Sequence, residues 1–213
     1  MNPLFVESVG ILAPGLAGWI ASREVLAGER SYAAEPLPAT IATLLPANER
    51  RRTTATVKLA LHVAQEAMAQ AALTPGPSPG GRGGSPVYTV FASSGGDSEV
   101  LDKICTALTL PDRPVSPTQF HHSVHNTPAG YWSIATGCTQ PSLSLSAYDS
   151  SFSAGLLEAA ALAFAEAARV LLVAYDLPLP FPLSERRAIV APFAVALAAE
   201  SFGDRAAVKR RSD

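Results

Sequence analysis

Asp149, Ser150 and Ser151 stand between a period-two apolar run and a segment rich in Ala and Leu. A tight turn from a strand into a helix presents one side chain at the helix N-terminus. The positive end of the dipole there favours an anion or activates a nucleophile. Asp and Ser also serve as plain helix caps, the simpler reading of Asp149 or Ser151. A serine hydrolase would need G-x-S-x-G. Here Ser153 has Gly155 after it, but Ser151 occupies the place of the first Gly. No His follows the turn, which breaks the Ser, acid, His order of the α/β hydrolases.

Other clusters carry weaker chemistry. His121, His122 and His125 form HHSVH, and His121 with His125 could ligate a metal from one helical face. Pro117 and Pro128 flank the run, and no carboxylate or Cys lies near in sequence, so a polar loop of hydrogen-bonded imidazoles is the plainer reading. SSGGDS lacks the lysine of a phosphate-binding loop and reads as a strand-to-helix turn. Arg50-Arg51-Arg52 and Arg186-Arg187 read as solvated surface, with a docking patch for an acidic partner as the alternative.

The elements that must position these residues alternate between strand and helix. Leu4 to Leu12 reads as a strand stopped by Pro14-Gly15. A Pro-rich surface connection spans Tyr32 to Pro46. Asn48 or Thr53 would cap the next helix, which runs to Leu73 with Val57, Leu61, Ala64, Met68 and Ala71 on one face. Four Pro and five Gly in the thirteen residues 74–86 predict a flexible loop. A strand follows at Val87–Ala92, then a turn at Ser93–Asp97 and a helix over Ser98–Leu108. Pro111, Pro114 and Pro117 predict an extended crossing segment. A short helix is expected around Ala129–Ala135 and a strand over Ser142–Ala147. The apolar helix Ser153–Ala168 leads to a doubly buried strand at Arg169–Tyr175. A last strand is expected at Ala188–Ala199, before a loose tail over 204–213. This alternation implies a layered α/β fold.

Composition narrows the function classes. The 213 residues suit one domain, and 48% apolar against 16% charged residues excludes wholesale disorder. A net charge of −2 gives no support to nucleic-acid binding. Cys105 and Cys138 make neither a disulfide framework nor a CxxC pair, and a reducing, cytoplasmic location is expected. The longest apolar stretch, Leu156–Ala168, carries Glu158 and Glu166 and is too short to span a bilayer. MNPLFVESVG lacks the basic start and apolar run of a signal peptide.

One long run is specific. Ser116-Pro117, Phe120, then Ser123-Val124-His125-Asn126-Thr127-Pro128-Ala129-Gly130-Tyr131-Trp132-Ser133-Ile134-Ala135-Thr136-Gly137 lead to Pro141-Ser142-Leu143-Ser144-Leu145. This resembles the N-terminal half of the β-ketoacyl synthases, whose pattern SP..F..S..N..AG..SI..G..GP precedes a strand and a nucleophile elbow. Val9-Gly10-Ile11 is similar to the family's first strand, Lys58-Leu59-Ala60 to its KLA helix, and Arg169–Asp176 to its D.ALVGG.E strand. The likeness covers residues 4–177 and is strongest over 116–177.

The resemblance implies a single thiolase-like α/β layered domain with a mixed sheet over residues 1–213. Counted from Pro141, the family's nucleophilic Cys falls on Asp149; Cys138 lies eleven positions earlier. A carboxylate is a poor nucleophile and cannot carry an acyl group as a thioester. The family's later His residues are missing after Tyr175, as is the whole second half. No catalytic residue, cofactor or metal is therefore expected. The likeness points instead to a chain length factor: a subunit that pairs with a catalytic ketosynthase, shapes its acyl tunnel in polyketide, fatty-acid-like or aryl-polyene synthesis, and meets acyl carrier protein only indirectly. By that analogy Ser142, Leu143, Ser144, Leu145, Ser146 and Ala147 would form the subunit interface. The tunnel and elbow would involve Asp149, Ser150, Ser151, Phe152, Phe120, Asn126, Tyr131 and Trp132. Phe120, Tyr131 and Trp132 serve equally well as core packing. Two alternatives stay open: a residual malonyl-thioester decarboxylase or acyltransferase using Asp149 or Ser151, and a pure scaffold. One half of a two-half fold would also expose a helix layer, which a partner, a second copy or the chain after Leu177 must cover.

Overall fold

The computed structural model describes residues 3–40, 42–73 and 87–201. The expected loop at 74–86 and tail at 204–213 lie outside them. The sheet has strands β1 (Leu4–Ala13), β2 (Leu16–Ala17), β3 (Val87–Ala92), β4 (Ser142–Leu145), β5 (Arg169–Asp176) and β6 (Phe193–Ser201). Their order is β2-β1-β6-β5-β3-β4. The β5-β3-β4 side is parallel, and β6 joins β5 to β1 antiparallel on both edges. The expected mixed sheet is the one observed.

Alternation along the strands gives the sheet two apolar faces. One face offers Phe91, Leu171, Val173, Tyr175, Ala194 and Ala196 to helix α3 (Ala55–Leu73). Val57, Leu59, Leu61 and Val63 of α3 are almost completely buried. The helix starts where the Thr54 hydroxyl accepts from the Val57 amide, so Thr54 is the cap rather than Asn48 or Thr53. Its outer side is covered by helix α6 (Thr127–Thr136) and by Ala42 and Leu45. The Pro-rich stretch is therefore more than a surface connection. Gly10 of β1 lets the sheet approach α3 closely: a Cβ there would sit 2.1 Å from the Val63 carbonyl oxygen.

The opposite face offers Val90, Ala92, Val170, Leu172 and Ala174 to helix α7 (Ser151–Glu166). Gly155, Ala159 and Ala163 form the inward stripe of α7, and a Cβ on Gly155 would lie 2.9 Å from Ala92 and Leu172. A bulge between Val6 and Ser8 re-aims Glu7, which pairs with Arg169 across the sheet.

Several boundaries differ from the sequence expectations. β2 and helix α1 (Trp19–Leu26) went unforeseen, because α1 starts at Gly18 with no side-chain cap and buries only Ser22. The Glu66 carboxylate holds this corner, accepting from the Ile11 and Trp19 amides. A short helix α2 (Ala47–Arg52) precedes α3. Helix α4 (Ser98–Thr109) is capped by Asp97, whose side chain accepts from the Val100 amide. The segment through HHSVH is not a loop throughout: Ser116 caps a helix α5 (Pro117–His122), with Pro117 in its first turn, where no amide is needed. β4 ends at Leu145 rather than Ala147, and α7 starts at Ser151 rather than Ser153. After a one-turn helix α8 (Leu183–Arg186), the last strand forms at Phe193–Ser201 rather than 188–199. Residues 178–201 thus complete this sheet and do not cover α7.

Candidate functional site

The parallel strands β4, β3 and β5 end on one edge of the sheet, where α/β folds place their sites. β4 leads into a 3-10 turn, Tyr148–Ser150, and then α7. Tyr148 takes a left-handed conformation, φ 53°, which folds the chain sharply between strand and helix. Ser151 secures the turn. It is buried; its hydroxyl accepts from the Ala147 amide at 3.0 Å and donates to the Tyr148 carbonyl at 2.7 Å. It is a staple of the elbow and neither a helix cap nor a free nucleophile. Asp149 caps nothing either: its carboxylate points outward, 72% exposed.

Asp149 is not alone. Arg187, from the loop before β6, places Nη2 2.6 Å and Nε 3.1 Å from Asp149 Oδ1. The same guanidinium lies 4.2 Å over the Tyr148 ring and donates from Nη1 to Ser94 Oγ at 2.9 Å. It therefore clamps the elbow to the turn after β3. That turn is fixed from below by Asp176, whose Oδ1 accepts from Ser93 Oγ and the Ser94 and Gly95 amides. Ser146 Oγ donates to the Ser94 carbonyl, completing the belt. The sequence reading set Arg187 on the solvated surface. Instead its side chain is only 18% exposed and is the central cation of the site. No local signal marks it, since it lies 38 residues from Asp149.

The remaining candidates divide into exposed and buried groups. Phe120 on α5 is 66% exposed and Phe152 on α7 is 42% exposed. Asn126 opens α6 with an exposed side chain that caps nothing. Tyr131 and Trp132 are buried and pack in the α3 core. β4 is an edge strand that pairs only with β3 among the described residues. Ser142, Leu143 and Ser146 are exposed there, and Ser144, Leu145 and Ala147 half-buried.

The imidazoles are structural neighbours of the elbow. His125 Nε2 lies 3.0 Å from the Leu145 carbonyl oxygen. His122 is buried and stacks on Tyr131. Its burial and then the neighbouring His121 hold its pKa below the ordinary histidine value, against a smaller opposing pull from the Arg52 backbone, Asp97 and Glu49. No group of three or more His, Cys, Asp or Glu able to hold a metal forms among the described residues. A cavity of about 660 Å³ lies at the other end of β3 beside Val87, Met68 and Trp132. Cys138 lines it, with Sγ 3.4 Å from the Val87 carbonyl oxygen, far from the elbow.

The elbow can therefore present a carboxylate clasped by a guanidinium, which binds hydrogen-bond donors well and attacks thioesters poorly. The arrangement is a strand, a left-handed turn and a small-residue helix on a mixed sheet, with Asp149 in the turn. The family model of the β-ketoacyl synthase N-terminal domain matches residues 24–212, and the chain belongs to that family. No curated protein matches the chain. Among solved structures it is similar to a complex of the ketosynthase ApeO with its chain length factor ApeC from Xenorhabdus doucetiae. The TM-score is 0.75 at 26% identity, over 94% of this chain and 79% of that one. The ishigamide ketosynthase/chain length factor gives 0.70 at 15% identity, over 92% of this chain and 62% of that one. A beta-ketoacyl synthase from Burkholderia phymatum STM815 gives 0.70 at 16%, with all of this chain and 61% of that one covered. The chain thus spans about three fifths of the last two, which share its fold. Among the described residues no helix is long and apolar enough to cross a membrane.

Proposed function

We propose that this chain is a chain-length-factor-like subunit that pairs with a catalytic β-ketoacyl synthase and shapes the tunnel for its growing acyl chain. One observation carries the reading: the turn from β4 into α7 holds a carboxylate, Asp149, clamped by Arg187, and we align it with the family's nucleophile. The likeness to a ketosynthase–chain length factor complex supports it. The chain acts as one domain in the cytoplasm, and aryl-polyene or related polyketide synthesis is the setting that fits this likeness. The open edge of β4 is the interface, because an edge strand offers unpaired backbone donors and acceptors to a partner strand. Phe120 lines the shared tunnel. Acyl carrier protein meets the partner first and this chain only indirectly.

Co-expression with the ketosynthase encoded nearest to it, followed by light scattering, tests the pairing. A one-to-one complex is expected; a monomer that ignores the ketosynthase removes the reading. Phe120→Ala in the intact complex should change product length, and unchanged products would leave only a scaffold. Carbon dioxide release from malonyl carrier protein, lost on Asp149→Ala, would replace the subunit reading by a residual decarboxylase.

A further inference from the structure

A small cavity lies between the start of α4, the buried side of α5 and the end of β5. Its volume is about 10 Å³, close to the least space that holds a single water molecule. Asp97, His122 and Tyr175 line it from these three elements. His122 is 3% and Tyr175 2% exposed; the Tyr175 hydroxyl has no hydrogen-bond partner within the described residues, and the Arg52 backbone beside the His122 ring can serve at most one of its two nitrogens. Asp97 is half satisfied: Oδ1 accepts from the Val100 amide, whereas Oδ2 is buried without such a partner. Buried polar atoms are nearly always hydrogen-bonded, and here three groups that each carry an unpaired atom line one small cavity.

We infer that this cavity is a binding site for one structural water, bridging Asp97 Oδ2, a ring nitrogen of His122 and the Tyr175 hydroxyl. The proton count closes. Water donates to the carboxylate oxygen and to the unprotonated nitrogen of a neutral imidazole, and accepts from the phenol. Burial keeps both groups in the required forms: it lowers the His122 pKa and raises that of Tyr175 far above the ordinary tyrosine value. A metal ion fits poorly, because the described residues supply no set of three His, Cys, Asp or Glu for it. The bridge ties α5 to β5 and α4. It therefore positions the helix that carries Phe120 outward, and Tyr175 precedes Asp176, the anchor beneath the elbow.

A crystal structure of the full chain, with its partner where the two purify together, tests this at a resolution that shows ordered water. One peak within hydrogen-bond reach of all three groups is expected. An empty cavity with the side chains turned onto each other, or a metal peak, overturns it. Tyr175→Phe keeps the ring and removes one arm of the bridge. It should lower the melting temperature by a few degrees and shift the ¹⁵N resonances of the His122 ring. Unchanged ring resonances in that variant would mean that Tyr175 and His122 share no water.

Discussion

Helices α3 and α7 lie on opposite faces of one sheet; α7 is apolar nearly all round, and α3 is apolar except for a stripe through Lys58, His62, Gln65 and Gln70. They meet different fates. α3 is enclosed: Leu59, Leu61 and Val63 are at most 1% exposed, beneath a cover that includes Ala42, Leu45 and Trp132. α7 touches the sheet through Gly155, Ala159 and Ala163, while Leu157 is 72% and Phe152 and Phe164 each 42% exposed. A helix apolar on every side belongs in the middle of something. For α3 this chain supplies that something. For α7 the described residues do not, since residues 178–201 run into the sheet as α8 and β6. The asymmetry separates an enclosed face from one that leaves large apolar side chains exposed.

The largest effect should come from the enclosed side. Leu61→Ala removes a fully buried side chain and should cost about 2–5 kcal/mol, read by urea denaturation. A loss below about 1 kcal/mol would mean that α3 is less tightly enclosed than its burial indicates. The contact stripe of α7 should respond less. Gly155→Ala would place a methyl 2.9 Å from Ala92 and Leu172, so it should destabilise by about 1–3 kcal/mol despite the better helix propensity of Ala. Gly130 in α6 has nothing within 4 Å of an added Cβ, and Gly130→Ala should stabilise by about 0.5–1 kcal/mol. Equal signs for the two glycines would contradict the close packing of α7 on the sheet.

How much of this was legible beforehand follows from the kind of signal each part carries. α3, β3 and β5 show in their apolar patterns, because burial there is dictated within the element. The turn shows as the break between a period-two run and an Ala/Leu-rich helix, and the count from Pro141 to Asp149 has meaning only through the family resemblance. Arg187 did not show, because its role is set by a loop that returns to the elbow only in three dimensions. The inward stripe of α7 was equally hidden: with Leu, Phe and Ala on all sides, only Gly155 distinguishes one side from another. α1 lacked both a side-chain cap and a buried apolar stripe, the two marks by which a short helix is found.

Acid should act on the α3 side through His122. His122 sits within its cover, facing Tyr131 and His121, with Asp97 and Glu49 as the nearby acids and the Arg52 backbone beside it. Its folded pKa lies below the unfolded value, so between the two the unfolded chain binds more protons. The stability it contributes is complete above about pH 6.5, the unfolded histidine value, and is lost as the pH falls through that value toward the folded pKa. Denaturation midpoints measured across that window should drop for the natural chain and drop less for His122→Phe. Identical slopes for the two proteins would show that His122 is not the group responsible.

The smallest effect on stability carries the most information about function. Leu157 is turned away from the sheet, so Leu157→Ser removes almost no packing from the isolated chain. Its unfolding free energy should stay within about 0.5 kcal/mol of the natural value. If α7 is covered by the ketosynthase, the same change puts a hydroxyl into an apolar interface and should weaken the complex at least tenfold, an energy of about 1.4 kcal/mol. The same titration with Gly130→Ala, on the other side of the sheet, should leave affinity unchanged. Unaltered affinity for Leu157→Ser would confine the interface to the β4 edge and leave the outer face of α7 to a second copy of this chain. Light scattering of the protein alone would then find a dimer that the same serine breaks.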